Sequence, residues 1–413
     1  MVKKIKLFTS YDKKELSAAT NVIKSGKLSS FVAHKNGFYG GNFVQKFERK
    51  LSNYFGTNYA VTFNSWTSGL IAAVGAIDIE PGDEILVPTW TMCATATAII
   101  HFNAIPIFVD INPDDYNICI TDLKRKITKK TKAIIAVDIN GYPSDIKELI
   151  SISKKNKIKL IFDSAQSIGA KYNKKLVGSF GDISGFSFNY HKHIHTGEGG
   201  VCLTNKKKLY DKLCLIRNHG EILMKTSNKR NLSNIIGYNF RLGEIESAIG
   251  IEQLKKLKKI VKFRADHTKT IISELKKLKG LILPNLKKKN EPSHYTMPLR
   301  ISDAIIKKVG RKKLVKKLKS NGVYCISQGY MNLHLMSMYK YKIAYGSKGF
   351  PWNIFDKDNI VNYSKGICPN AEKLHFHSYL AFSPFYYQMN KREIKFLLNG
   401  FIETWQQLKL NDL

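Results

Sequence analysis

The run Gly185–Gly200 reads GFSFNYHKHIHTGEGG and sets Lys192 among His191, His193 and His195, just before a glycine-rich turn. A lysine held among aromatic rings and imidazoles gives up its proton more readily than one in water, and can then attack a carbonyl. The bland alternatives are a solvated lysine and histidines that only satisfy backbone groups. Asp163 follows directly on the apolar run Ile158–Phe162, in FDSAQ. A carboxylate at the end of a buried strand needs a cationic or hydrogen-bonding partner, although an Asp there can also cap a turn. A third stretch, Asn64–Gly69, reads NSWTSG. If a helix begins there, its unpaired amides and the neighbouring hydroxyls form an anion site. Any Ser- and Thr-rich turn into a helix shares that property.

The elements around these residues follow from apolar periodicity. Strand-like runs lie at 60–63, 84–88, 104–109, 132–137, 157–162, 183–188 and 200–203, with helix-like stretches at 67–75, 93–101, 144–155 and 206–215 between some of them. Such alternation predicts a three-layer α/β/α fold with a mostly parallel sheet, whose ligands sit beyond the carboxyl ends of the strands. NSWTSG and Asp163 fall at such ends. A start of helix for a phosphate, a buried carboxylate for a pyridinium nitrogen and an amine for an aldehyde are together what pyridoxal phosphate asks of a protein. After about Arg264 the chain becomes richer in lysine, with looser signals. We read 1–264 as a large cofactor-binding domain that includes the N-terminal segment, and 265–413 as a smaller α+β domain. A helix is expected over 305–319, ending at Asn321-Gly322.

The 413 residues carry 67 Lys+Arg against 32 Asp+Glu, a formal net charge of +35. That balance suggests a polyanionic partner. Only nine of the basic residues are arginines, however, and the reading of bases leans on arginine's planar fork. In LKKLKKIVKF, at 254–263, the lysines separate apolar residues at helical spacing, as on a solvated helix face. No specific nucleic-acid recognition is expected. The six cysteines form no CxxC pair and suggest neither zinc nor a disulfide scaffold. Met1–Leu16 lacks the apolar core of a signal peptide, and Ala94–Val109 is too polar to span a bilayer. A cytoplasmic protein with no membrane partner is expected.

Taken in order along the chain, NSWTSGL (64–70), EPGDEILVPTWT (80–91), FDSAQSIGA (162–170), GFSFNYHKHIHTGEGG (185–200), RNHGE (217–221) and IGYNFRLGE (236–244) resemble the DegT/StrS-type sugar aminotransferases. The resemblance implies the aspartate aminotransferase fold and pyridoxal phosphate. It implies that Lys192 is the Schiff-base lysine, Asp163 the partner of the pyridine nitrogen and Gln166 a contact to the ring oxygen. Ser187, Trp66, Thr67 and Ser68 are the implied phosphate ligands. Asn239 is expected to reach the phosphate of a neighbouring subunit, in a homodimer with shared sites. Three positions depart from the commoner pattern. Trp66 replaces a small residue, so its indole is expected to point away or to shape the entrance. Met92 replaces an aromatic that stacks on the cofactor; Met92 itself, or Trp90, would cover the ring. Asp138 replaces a histidine, and no role is assigned to it. A dehydrating branch carries histidine at the Schiff-base position, so Lys192 favours transamination. The implied amino donor is L-glutamate and the implied acceptor a nucleotide-linked keto sugar, with a small phosphorylated ketone such as dihydroxyacetone phosphate as the alternative. Ser327, Gln328, Gly329 and His334 are expected to border the acceptor pocket. The rival class is a nucleic-acid-binding regulator without turnover.

Overall fold

In a computed structural model the protein is described over residues 6–32, 35–220, 234, 236–287, 289–358 and 360–413. Residues 1–5, which open the basic segment Met1–Leu16, and Glu221, which closes RNHGE, lie outside them. The first strands are β1 (Tyr59–Phe63), β2 (Glu84–Pro88), β3 (Ile105–Val109), β4 (Thr131–Val137) and β5 (Lys159–Asp163). They are followed by the short β6 (Lys171–Tyr172) and β7 (Lys175–Leu176), then by β8 (Ile183–Ser187) and β9 (Gly200–Thr204). Seven of these form one sheet in the order β1-β9-β8-β5-β4-β2-β3. β3, β2, β4, β5 and β8 run parallel, and β9 is antiparallel to both of its neighbours. Each strand lies within two residues of the run read from the sequence.

The helices are α1 (Lys13–Lys24), α2 (Asn42–Phe55), α3 (Trp66–Ala76), α4 (Cys93–Ile100), α5 (Ile120–Lys126), α6 (Ile146–Asn156), α7 (Lys207–Arg217) and α8 (Glu244–Leu275). The period of two in β4 divides its side chains between two cores. Ala133, Ile135 and Val137 face a core with α3, α4 and α7, whereas Ile134 and Ala136 face one with α2, α6 and α8. Strands buried on both faces carry unbroken apolar runs rather than alternation, which is why they stood out.

The region after residue 264 is divided. β10 (Leu281–Ile282), β12 (Met297–Ile301), β13 (Ile326–Gln328) and β14 (Tyr379–Phe382) form an antiparallel sheet with its own core, while β11 (Asn290–Glu291) joins β6 and β7. Residues from Leu333 to Tyr379, by contrast, pack into the core of α3, α4 and α7. Residue 264 itself lies within α8. That helix is about 48 Å long at 1.5 Å per residue, with Leu254 and Leu257 in the second core and Ile271 and Leu275 in the third. The single helix expected over 305–319 is two, Asp303–Lys308 and Arg311–Ser320. Gly310 sits between them at φ +78°, a conformation that ends a helix although the apolar period continues past it. Among the described residues, no helix is long and apolar enough to cross a membrane.

Candidate active site

The carboxyl ends of β1, β5 and β8 open onto a cavity of about 240 Å³. From β1 the chain turns through Asn64 and Ser65 into α3. Ser65 is the N-cap, and its Oγ accepts the Ser68 amide at 3.1 Å. The first amides of a helix have no partner within it, so the start of α3 presents donors toward Ser65 and Thr67, both of which line the cavity. Ser187, at the end of β8, adds a hydroxyl. These groups suit a phosphate. Ser68 does not line the cavity: its hydroxyl donates to Asn64 Oδ1 at 2.7 Å. Ser65 takes its place there, a residue the sequence reading did not single out.

Lys192 lies in the turn after β8, its amide bonded to Asn189 O and the turn closed by Thr196 N to Phe188 O. Its side chain is 8% exposed. Nζ has three donors to place. Its hydrogen bond is to the Tyr295 hydroxyl at 3.3 Å, and it lies 4.5 Å from that ring's centroid. Burial pushes the amine down to about 8, and the charge of Asp163 offsets only part of that. The sequence left open whether the histidines tune this value or only satisfy backbone groups. They are held neutral: burial brings His191 down to about 4 and lowers His193 and His195. His193 is fully buried, with Nε2 on Ser293 O at 2.8 Å, and His195 stacks on Tyr11. Of the three, only His191 lines the cavity.

Asp163 ends β5. Its Oδ1 accepts from Trp66 Nε1 at 2.7 Å and from the Ala165 amide at 3.2 Å, and its Oδ2 accepts from Thr95 Oγ1 at 2.8 Å. Burial raises its pKa, against these bonds. Trp66 thus points neither away nor into an entrance; its indole runs inward to the carboxylate. Next along the floor, Gln166 Oε1 accepts the Asn140 amide at 2.8 Å, and Tyr330 lines the same cavity. Met92, 56% exposed, is at the rim. Trp90 is buried behind Tyr330 at 5.7 Å and does not line the cavity.

Asp138, buried at the end of β4, accepts the Ser144 amide and the Ser164 hydroxyl, and so ties the turn after β4 to the residue after Asp163. Burial pushes it up to about 6. Tyr295 and Tyr330, which close the cavity, come from beyond residue 264. The Tyr295 loop docks on Asn140 and Gly141 through Ser293 N to Gly141 O and Tyr295 N to Asn140 O. Gly141 has φ +90°, and a Cβ there would meet the amides of His294 and Tyr295 at 2.7 Å. No local signal marks either tyrosine. The pocket residues expected from the C-terminal region are elsewhere. His334 is wholly buried between Thr89 Oγ1 (2.7 Å) and Glu372 Oε1 (3.0 Å), a latch rather than a pocket wall. Ser327, Gln328 and Gly329 do not line the cavity either. Asn239 is exposed, and its carbonyl accepts from Asn64.

The donor set fits pyridoxal phosphate: an under-bonded buried amine, a buried carboxylate, an amide side chain and the open start of a helix share one cavity. The fold is that of the fold type I pyridoxal-phosphate-dependent aminotransferases. The chain belongs to the DegT/DnrJ/EryC1/StrS aminotransferase family, whose sequence profile matches residues 14–353. It is 40% identical over 215 residues to GDP-perosamine synthase of Escherichia coli O157:H7, covering 52% of this chain and 58% of that one. It is 30% identical to GDP-4-keto-6-deoxy-D-mannose 3-dehydratase of Yersinia pseudotuberculosis, covering 81% and 88%. The structure of Helicobacter pylori PseC, an aminotransferase involved in pseudaminic acid biosynthesis, superposes with a TM-score of 0.79 at 25% identity, covering 98% of this chain and 100% of that one.

Proposed function

We propose that this enzyme moves an amino group from L-glutamate to a keto group of a nucleotide-linked sugar, in the biosynthesis of a surface polysaccharide. The observation that carries the choice of transamination over dehydration is that Lys192 faces the cavity while His193 is turned away to Ser293 O. The relatives that act on nucleotide sugars support the class of acceptor.

Bound pyridoxal phosphate supplies an aldehyde that captures amines and a ring that takes up the electron pair released at Cα. The protein's own groups do the rest. The start of α3, with Ser65, Thr67 and Ser187, holds the phosphate. Asp163 holds a proton on the ring nitrogen, and Gln166 meets the ring oxygen. Met92 covers the ring from the rim. Nζ of Lys192 would take the proton from the donor's Cα and return one to the acceptor carbon in the second half-reaction. Its lowered pKa leaves a useful fraction neutral near pH 7. Asn239 completes the phosphate site of a second copy in a homodimer, which its exposure in the single chain supports.

The test is glutamate-dependent amination of a panel of nucleotide keto sugars and triose phosphates, read by mass change. Amination of a keto sugar supports the proposal. Amination of dihydroxyacetone phosphate alone moves it to the small phosphorylated ketones. A salt-dependent nucleic-acid shift with no amino transfer would favour the regulator instead.

A further inference from the structure

An ionised carboxylate offers about four lone-pair sites. Asp163 has three of them filled from within the chain: two on Oδ1, by the Trp66 indole and the Ala165 amide, and one on Oδ2, by Thr95. One site on Oδ2 remains. The indole bond is the shortest of the three, and its donor cannot swing away. Trp66 is the first residue of α3 and is 6% exposed. Its ring lies in a slot that a Cβ would fill from two sides: at Gly185 of β8 a Cβ would lie 2.0 Å from Cη2 and Cζ3, and at Gly69 of α3 it would lie 2.8 Å from Cε3. At Gly200 of β9 a Cβ would meet the Trp66 backbone at 2.6 Å. Three glycines on three elements thus let one large ring pass beneath the cavity to a carboxylate on a fourth. The buried indole N–H needs an acceptor, and the one this slot gives it is the Asp163 carboxylate. A buried indole N–H without one would cost the full desolvation of that group.

We propose that Trp66 is a positioning residue: its indole N–H fixes the Asp163 carboxylate so that the one open lone pair serves the ring nitrogen of the cofactor. The inference rests on the reading of Asp163 as the partner of that nitrogen. The Trp66 indole acts through Asp163 and so bears on the ring nitrogen, whereas the Trp66 backbone belongs to the start of α3 that receives the phosphate and is unchanged by substitution of the side chain.

That selectivity gives the test. Full-length apoprotein is titrated with pyridoxal phosphate and with its 1-deaza analogue, in which the ring nitrogen is replaced by a C–H group. The wild type prefers the natural cofactor. Trp66→Phe, which keeps a ring and deletes the donor, lowers that preference about tenfold, the size expected for one hydrogen bond to a charged group. It leaves affinity for the analogue within about twofold. Trp66→His, which retains a ring N–H, recovers part of the preference. Equal losses for both ligands, or an unchanged preference, overturn the inference and make Trp66 a packing residue. A wild type that binds the two ligands alike overturns the Asp163 assignment itself, and the inference with it. Should Trp66→Phe fail to fold, the wild type still answers. The Trp66 indole N–H resonance moves on loading with pyridoxal phosphate more than on loading with the analogue, and equal movement overturns the proposal.

Discussion

Two buried cations of this molecule sit near buried carboxylates and are treated in opposite ways. Arg217, at the end of α7, is fully buried, and its guanidinium bonds Glu48 of α2 directly. Glu48 also takes the amide and hydroxyl of Thr62 in β1, at 2.8 and 2.9 Å. Burial works against the charge on Arg217, but Glu48 outweighs it and its pKa is raised. Lys192 is also buried, yet among the described residues no ion pair joins it to a carboxylate. Asp163 is satisfied by neutral donors instead, and the pKa of the amine falls. The first arrangement closes a joint between β1, α2 and α7. The second leaves the amine without an ionic partner, so that it can be neutral.

The comparison can be broken at several points. Lys192→Ala should abolish both amino transfer and the visible absorbance of the loaded enzyme; retained turnover would end the assignment. Glu48→Gln should destabilise the apoprotein by about 3–5 kcal/mol in chemical denaturation, because it strands the Arg217 charge. A loss below about 1 kcal/mol would show that the joint is not a structural ion pair. Lys192→Met should do the reverse and stabilise the apoprotein, by about 3 kcal/mol at pH 7. The sign follows from the folded pKa of about 8 lying below the ordinary 10.5. The buried amine costs its full amount below pH 8, and that cost fades as the pH rises toward 10.5. The gain from Lys192→Met must fade over the same interval, and a gain independent of pH would place its cause elsewhere. For the same reason, capture of free pyridoxal phosphate by the apoprotein should quicken about tenfold per pH unit up to about pH 8 and then level off. At the small end, Lys262→Gln breaks an exposed pair with Asp266 and should change stability by less than about 0.5 kcal/mol.

The sheet was legible because both of its faces are covered. Runs such as EILVP are buried throughout, so composition alone marked them. Lys192, Asp163 and the start of α3 were legible because their residue types are costly or unusual at strand ends. What could not be read were the directions of side chains and the partners supplied from far along the chain. The indole of Trp66 reaches a residue 97 positions away, and Tyr295 meets Lys192 across 103. His334 looked like a pocket residue because it is a histidine in a loop; its two partners, Thr89 and Glu372, are tertiary neighbours. The break at Gly310 was hidden because the hydrophobic period runs through it and only the backbone conformation interrupts it.

The return of residues 333–379 to the first core has a consequence for how the protein is made. Everything from β1 to α7 leaves the ribosome early, but the face of the sheet under α3 and α4 lacks Leu333, Tyr339, Trp352 and Tyr379 until the chain is nearly complete. At roughly 5–20 residues per second, that wait is on the order of ten seconds. During it, one apolar face of a nascent sheet has no permanent cover, the condition under which partly folded chains associate. Shielding of that face during synthesis then bears on how much folded protein is obtained, alongside the stability of the finished fold.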